Sequence, residues 1–351
     1  LTMNERETWW SEAVMQTSIS IGGSGSEHRI FGAASLALAL AVLPGCGAAK
    51  TDAGTPPVAA PRAHSETEGM TATTGQQKVG RQANLPPRVR ALREKKLSDK
   101  CPPGMVYVPS GRFTMGSIGN EPEWLLEFPL WGVDDAGDPF DYGDKPAHSV
   151  TVAAFCIDLT PVSVAEYEAC VGDGRCPAAP RADAAKRDLA YCNTGRADRA
   201  EHYVNCVDWN AADAFCRAQG KRLPSEVEWE FSARGTDGRT TPSGRDRSEI
   251  RTCRDNHAAD EATCPVGMFS ETSSAFGLLD QEATAEEWTA SPFCAYPQHN
   301  CSAATRATRG TTYGYPYGAV LTHRRGRRPN EQDHGITFRC ASPPGESRNG
   351  P

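Results

Sequence analysis

Between Arg309 and Arg328 the chain strings together residue types suited to capturing an anion. Tyr313, Tyr315 and Tyr317 alternate with Gly310, Gly314 and Gly318, and His323, Arg324, Arg325, Arg327 and Arg328 follow. Tyrosine offers a large amphipathic face at little cost in side-chain entropy, and interleaved glycine lets the stretch adapt to its ligand. Arginine adds planar, bidentate hydrogen bonding to carboxylate or phosphate. The expected ligand is a peptide, a glycan or a small anionic molecule, with Tyr313, Tyr315, Tyr317, His323, Arg324 and Arg325 as binding residues.

Metal chemistry is less well signposted. From Ser117 to Lys145 an acidic segment broken by Gly and Pro carries Asp134, Asp135, Asp138, Asp141 and Asp144. These carboxylates lack the spacing of an EF-hand, so a solvated loop is the plainer reading and calcium is left open. His148, His202, His257, His299, His323 and His334 include no i, i+4 pair, and they read as surface histidines. No metal ligand is assigned.

Thirteen cysteines are too many for a reducing cytosol, and none shows zinc-ribbon spacing. Disulfides are the economical reading, and short separations suggest the local bridges Cys170–Cys176, Cys253–Cys264 and Cys294–Cys301. Export agrees with this. The apolar run Ile30–Leu43 is about 14 residues, too short for a bilayer that needs roughly 20 but suited to a signal peptide. It ends in Leu43-Pro44-Gly45-Cys46, which resembles a bacterial lipobox, so Cys46 is expected to carry a lipid anchor to the membrane of the cell envelope. Secretion as a soluble or periplasmic form is the alternative. The net charge of −7 supplies no basic field for nucleic acid, which is not an expected partner.

The expected organisation is a signal region over 1–46, a disordered linker over 47–100, a folded domain over 101–341 and a disordered tail over 342–351. Residues 47 to about 97 hold too little apolar surface to offset the entropy of ordering. Within the domain, Met105–Val108 and Arg112–Met115 flank Pro109-Ser110-Gly111 as strand, turn and strand. Ser149–Asp158 reads as one strand and Ser163–Val171 as a short helix. Asp208 can cap a helix running to Gly220, and Ser225-Glu226-Val227-Glu228 is a capping box for a helix closed by Gly235. Beyond Gly235 the pattern is turns and short segments. The expected fold class is α+β, low in regular secondary structure and braced by disulfides.

Five blocks carry a resemblance. They are Gly104-Met105-Val106 with Met115-Gly116-Ser117, and Lys145-Pro146-Ala147-His148 running to Asp158. The third is Asn205-Cys206-Val207-Asp208-Trp209 through Gly220-Lys221-Arg222-Leu223-Pro224-Ser225-Glu226-Val227-Glu228-Trp229-Glu230. Phe276-Gly277-Leu278-Leu279-Asp280 and Phe338-Arg339-Cys340-Ala341 complete the set. In order and spacing they resemble the formylglycine-generating enzyme, or sulfatase-modifying factor, family. On physical grounds the third block is first a helix end, a turn and a capped helix, with Trp229 and Phe231 available to the core. The resemblance implies a C-type-lectin-like fold and a bridge Cys216–Cys340. Of the three pairings then left to Cys101, Cys156, Cys192 and Cys206, 192–206 with 101–156 is preferred.

The resemblance also implies chemistry whose residues are missing. Active members oxidise a cysteine of a sulfatase peptide to formylglycine, using copper held by two thiolates, a soft pair suited to Cu(I). The matching stretch Arg309–Val320 contains no cysteine. A calcium-binding motif is reduced to its final acid and tryptophan in Gln281–Trp288. No cofactor is expected, and copper is disfavoured. The favoured reading is a non-oxidase ligand-binding or scaffold module; an enzyme of altered chemistry acting on an exported peptide or metabolite is the alternative. The anchor itself is testable. Membrane association of the mature protein is expected to vanish in Cys46→Ser, as measured by fractionation, and a variant that still pellets with membranes would exclude lipidation at Cys46.

Overall fold

The computed structural model describes residues 85–119, 143–183, 185–186, 189–245, 263–282, 284–310 and 321–345. The signal region with Cys46, the linker to residue 84, most of the acidic insertion, Cys253 and Tyr313, Tyr315 and Tyr317 lie outside them.

The order along the chain is α1 (Pro87–Glu94), β1 (Met105–Val108), β2 (Gly111–Met115), β3 (His148–Val152), β4 (Phe155–Asp158), α2 (Val164–Gly172), α3 (Trp209–Ala218) and α4 (Glu226–Arg234). Then come β5 (Glu286–Pro292), β6 (Arg306–Arg309), β7 (Arg324–Arg327), β8 (Ile336–Thr337) and β9 (Ala341–Ser342). Three sheets result. One has the order β1-β4-β9, a second pairs β2 with β3, and the third runs β7-β6-β5-β8 with β8 parallel to β5. The segment read as strand, turn and strand does not close a hairpin, because β1 pairs with β4 and β2 with β3. The single strand expected over 149–158 is likewise two, divided between those sheets. Burial explains the division, since every residue of β4 is buried whereas β3 alternates toward solvent.

Local chemistry sets the helix ends. Ser163 with Glu166 and Ser225 with Glu228 form reciprocal capping boxes, and Asp208 accepts from the Ala211 N–H. Helix α3 stops at Ala218, with Gly220 just beyond the cap at φ +70°, a left-handed conformation that glycine adopts without strain. One core joins Tyr167, Phe215, Trp288 and Phe338. A second gathers Phe113, Met115, Phe155, Ile157 and Phe231.

Disulfides tie the pieces together. Cys101–Cys156, Cys170–Cys176, Cys192–Cys206, Cys216–Cys340 and Cys294–Cys301 all have Cα separations between 5.3 and 5.9 Å. Cys264 is also disulfide-bonded, and its expected partner Cys253 is outside the described residues. The 216–340 bond spans 124 residues and joins α3 to the closing segment. By the chain-entropy relation a loop of that length is stabilised by about 4–5 kcal/mol.

The domain limits need correcting at both ends. Residues 85–100 are not a solvated linker. Leu85, Val89 and Leu92, at i, i+4 and i+7, lay an apolar stripe against Tyr203, Val266 and Ala285. Arg93 is buried, donating from Nε to Glu166 at 2.5 Å and from Nη2 to Pro161 O at 2.9 Å. At the other end Ser342 belongs to β9, and the Gly345 N–H donates to Lys100 O at 2.8 Å. Because α1 is part of the packed domain, Arg93→Ala is expected to lower its stability by about 3 kcal/mol, leaving Glu166 without its charge partner. Urea unfolding measures this, and a change under about 0.5 kcal/mol would mean that α1 is dispensable.

Candidate functional site

Helix α4 points two carboxylates inward. Glu226 and Glu230, one turn apart, are both almost fully buried, and a charge in that position must be paired. Arginines from the third sheet pair them. Arg324, the first residue of β7, grips Glu226 with Nε at 2.6 Å and Nη2 at 2.9 Å. Its Nη1 donates to Gly143 O and Cys294 O. Arg309, the last residue of β6, reaches Glu226 at 3.3 Å, pairs with Glu230, and donates to Leu321 O at 2.7 Å. Burial disfavours the charge on Arg309, but Glu230, Tyr296 and Glu226 outweigh it and raise its pKa.

Two further acids at the start of β5 are treated in the same way. Glu287 takes both prongs of Arg339 at 2.7 Å and the Trp229 Nε1–H at 2.9 Å. Glu286 accepts from Thr308 Oγ1 at 2.8 Å and from Arg327 at 3.1 and 3.2 Å, with Arg325 at 3.5 Å.

This network decides the fate of the expected binding residues. Arg324 is corrected from ligand partner to core brace, because it is only 1% exposed and its donors are engaged by protein. His323 and Arg325 are partly buried beside it. His323 donates its Nδ1–H to Gly310 O at 2.9 Å, and burial lowers its pKa to about 4, so the ring is neutral. Gly310 stands at φ +81°, where a Cβ would come 3.2 Å from Ala285 O and 3.3 Å from the Trp229 ring. That glycine therefore lets the strand turn away tightly over Trp229. The three tyrosines follow it, outside the described residues.

Glu282, four residues before β5, is 2% exposed. One carboxylate oxygen accepts from Ser243 Oγ at 3.0 Å, and the other is buried without a hydrogen-bond partner among the described residues. Burial pushes its pKa up to about 7. Sequence reading missed this group, and it took Glu226 only as part of a helix start. The available signal was acids at i, i+4 flanking Trp229 in Glu226–Glu230, matched against arginines after position 305. A separate cavity of about 210 Å³, lined by residues including Pro177, Pro180, Asp208 and Gln332, contains none of the expected binding residues. It is smaller than the roughly 300 Å³ at which small-molecule pockets begin.

The residues fit neither metal that the resemblance implies. Among the described residues no group of three or more His, Cys, Asp or Glu could hold a metal ion. Both oxygens of Glu287, the surviving acid of the calcium motif, are committed to Arg339, so a guanidinium holds the carboxylate a cation would need. All eleven described cysteines are in disulfides, which leaves no thiolate for copper among them. His148, read as a surface group, instead meets His299, and His202 is buried against Thr263.

An α+β domain low in regular structure, braced by disulfides and closed by an Arg–carboxylate core, is a C-type-lectin-like fold of the sulfatase-modifying factor kind. Residues 91–343 match the sulfatase-modifying factor enzyme 1-like domain, and the chain belongs to that family. It is 29% identical over 294 residues to the inactive C-alpha-formylglycine-generating enzyme 2 of Mus musculus, covering 70% of this chain and 88% of that protein. The formylglycine-generating enzyme of Mycobacterium tuberculosis is 29% identical over 249 residues, covering 56% and 75%. The solved structure of PvdO from Pseudomonas aeruginosa superposes with a TM-score of 0.53 at 23% identity, covering 71% of this chain and 97% of that one.

Glu282 gives a pH prediction. Its folded pKa of about 7 lies above the ordinary 4.5, so the folded state keeps a proton that the unfolded chain releases between those values. Stability from this group is therefore present below pH 4.5 and is lost as pH rises toward 7. Relative to wild type, Glu282→Gln is expected to gain roughly 2–3 kcal/mol between pH 5 and pH 8 in urea unfolding. A wild-type-to-variant difference that does not change with pH would rule this out.

Proposed function

We propose that this chain is a non-oxidase member of the family, a ligand-binding or scaffold module held at the cell envelope through Cys46. The carrying observation is the absence of cysteine from Arg309 to Val320, the stretch where active relatives hold copper. The disulfide engagement of every described cysteine supports it, since Cu(I) needs thiolates. So does the likeness to a relative whose own name describes it as inactive. In this reading a peptide, glycan or small anionic ligand meets Tyr313, Tyr315 and Tyr317, with Arg325, itself 3.5 Å from Glu286, as its charge partner.

One observation favours the second reading, an enzyme of altered chemistry. Glu282 lies against Ser243 with a carboxyl that titrates near neutrality, as a general acid or base must.

A single experiment separates the two from each other and from family oxidase chemistry. The purified protein, incubated with a cysteine-containing sulfatase peptide, copper and oxygen, is expected to form no formylglycine, and elemental analysis is expected to find no stoichiometric copper or iron. Formylglycine in the peptide would overturn the non-oxidase assignment. Stoichiometric iron without it would favour altered catalysis.

A further inference from the structure

Two histidines 151 positions apart in sequence meet beside the Arg–carboxylate core. His148 opens β3, and His299 lies in the loop closed by Cys294–Cys301. Their Nε2 atoms are 2.7 Å apart. The ring centroids are 4.8 Å apart with planes tilted by 32°, so the rings meet nearly head-on and one proton lies between the nitrogens. Imidazoles sharing a metal ion would instead aim both nitrogens at a third point and hold them farther apart.

The surroundings select the tautomers. His148 Nδ1 is 2.9 Å from Pro146 O, an atom that can only accept, so Nδ1 carries a proton. Neutral His148 then accepts at Nε2, and His299 donates its Nε2–H. That leaves His299 Nδ1 as a lone pair, buried without a partner among the described residues.

A further proton has nowhere good to go. Entering at His299 Nδ1, it makes a buried N–H with no acceptor. Entering at His148 Nε2, it forces His299 to move its own proton to Nδ1 to keep the bridge, with the same result. The added positive charge also meets Arg324, which lies 4.0 Å over the Tyr296 ring, while that ring packs against both histidines. Burial and then His148 disfavour a charged His299, and Arg324 adds to them; Glu226 and Glu230 on α4 pull the other way but are already paired with Arg309 and Arg324.

We propose that His148 and His299 form a proton-gated latch, which ties β3 to the Cys294–Cys301 loop when neutral and releases that loop on mild acidification. The loop supplies Arg324 with the Cys294 carbonyl at 2.9 Å and the face of Tyr296. Opening the latch therefore loosens the packing around Arg324. The sign follows from the lowered His299 value. The latch contributes stability above the ordinary histidine pKa of 6.5, and that stability is lost as pH falls through the folded value.

The test uses the purified full chain with histidines labelled with nitrogen-15. At pH 7.5, NMR is expected to show His148 as the Nδ1–H tautomer and His299 as the Nε2–H tautomer, with nitrogen–nitrogen coupling across the shared proton. Hydrogen exchange over residues 294–301, corrected for intrinsic rate, is expected to lose about tenfold or more of its protection from pH 7.5 to 5.5. In His148→Gln and His299→Gln that pH response is expected to be absent. The same response in both variants would overturn the latch. So would other tautomers without coupling, or stoichiometric zinc bound through the pair. Should a variant fail to fold, the wild-type tautomers and coupling decide alone.

Discussion

Glu226, Glu230, Glu286 and Glu287 are sealed in this interior, and the fold depends on matching each of them to a guanidinium. Arg309, Arg324 and Arg339 are fully buried with them, and Arg327 reaches in from a part-exposed position. A desolvated charge costs several kcal/mol, and its partner returns that only in good geometry. The matching therefore admits one arrangement. Helix α4 must lie where β6 ends and β7 begins, and Arg339 must enter from the closing segment. In a domain with few and short strands, these pairs hold positions that long backbone ladders fix elsewhere.

The same pairs draw the boundary between scaffold and site. An arginine that grips a buried acid with two nitrogens is not available to a ligand, and this reassigns Arg324 while leaving Arg325 at the margin. They also bear on metals. Where the family's motif would offer a carboxylate to calcium, Arg339 occupies Glu287, so an organic cation closes the core there. Outside these pairs stand a neutral His323, held to Gly310 O, and the protonatable Glu282.

Much of this was legible in the residues, and the failures have physical causes. Helix N-caps are local, so Ser163, Asp208 and Ser225 announced their helices to within a residue or two. Pairing partners are not local. Nothing near Met105–Met115 says that two adjacent strands join different sheets, and the third sheet is built from segments too short and polar to carry a strand period. Helix α1 was obscured because its arginines dominate its composition, although Leu85, Val89 and Leu92 repeat at helical spacing. Of the site, the missing thiolates and the Tyr–Gly stretch were visible directly. The meetings of Arg324 with Glu226 and of His148 with His299 span 98 and 151 positions, and only tertiary structure creates them.

The bond between Cys216 and Cys340 has a consequence for the order of assembly. A ribosome delivers Cys216 well before Cys340, and at 5–20 residues per second the interval is on the order of ten seconds. The bridges Cys170–Cys176 and Cys192–Cys206 have both partners in the chain by then, whereas Cys216 has no native partner until Cys340 follows. Arg339, the guanidinium that completes the pairing of Glu287, arrives with that last segment. The charged interior and the longest covalent loop are thus finished by the same stretch of chain, and a nascent domain halted short of residue 339 lacks both.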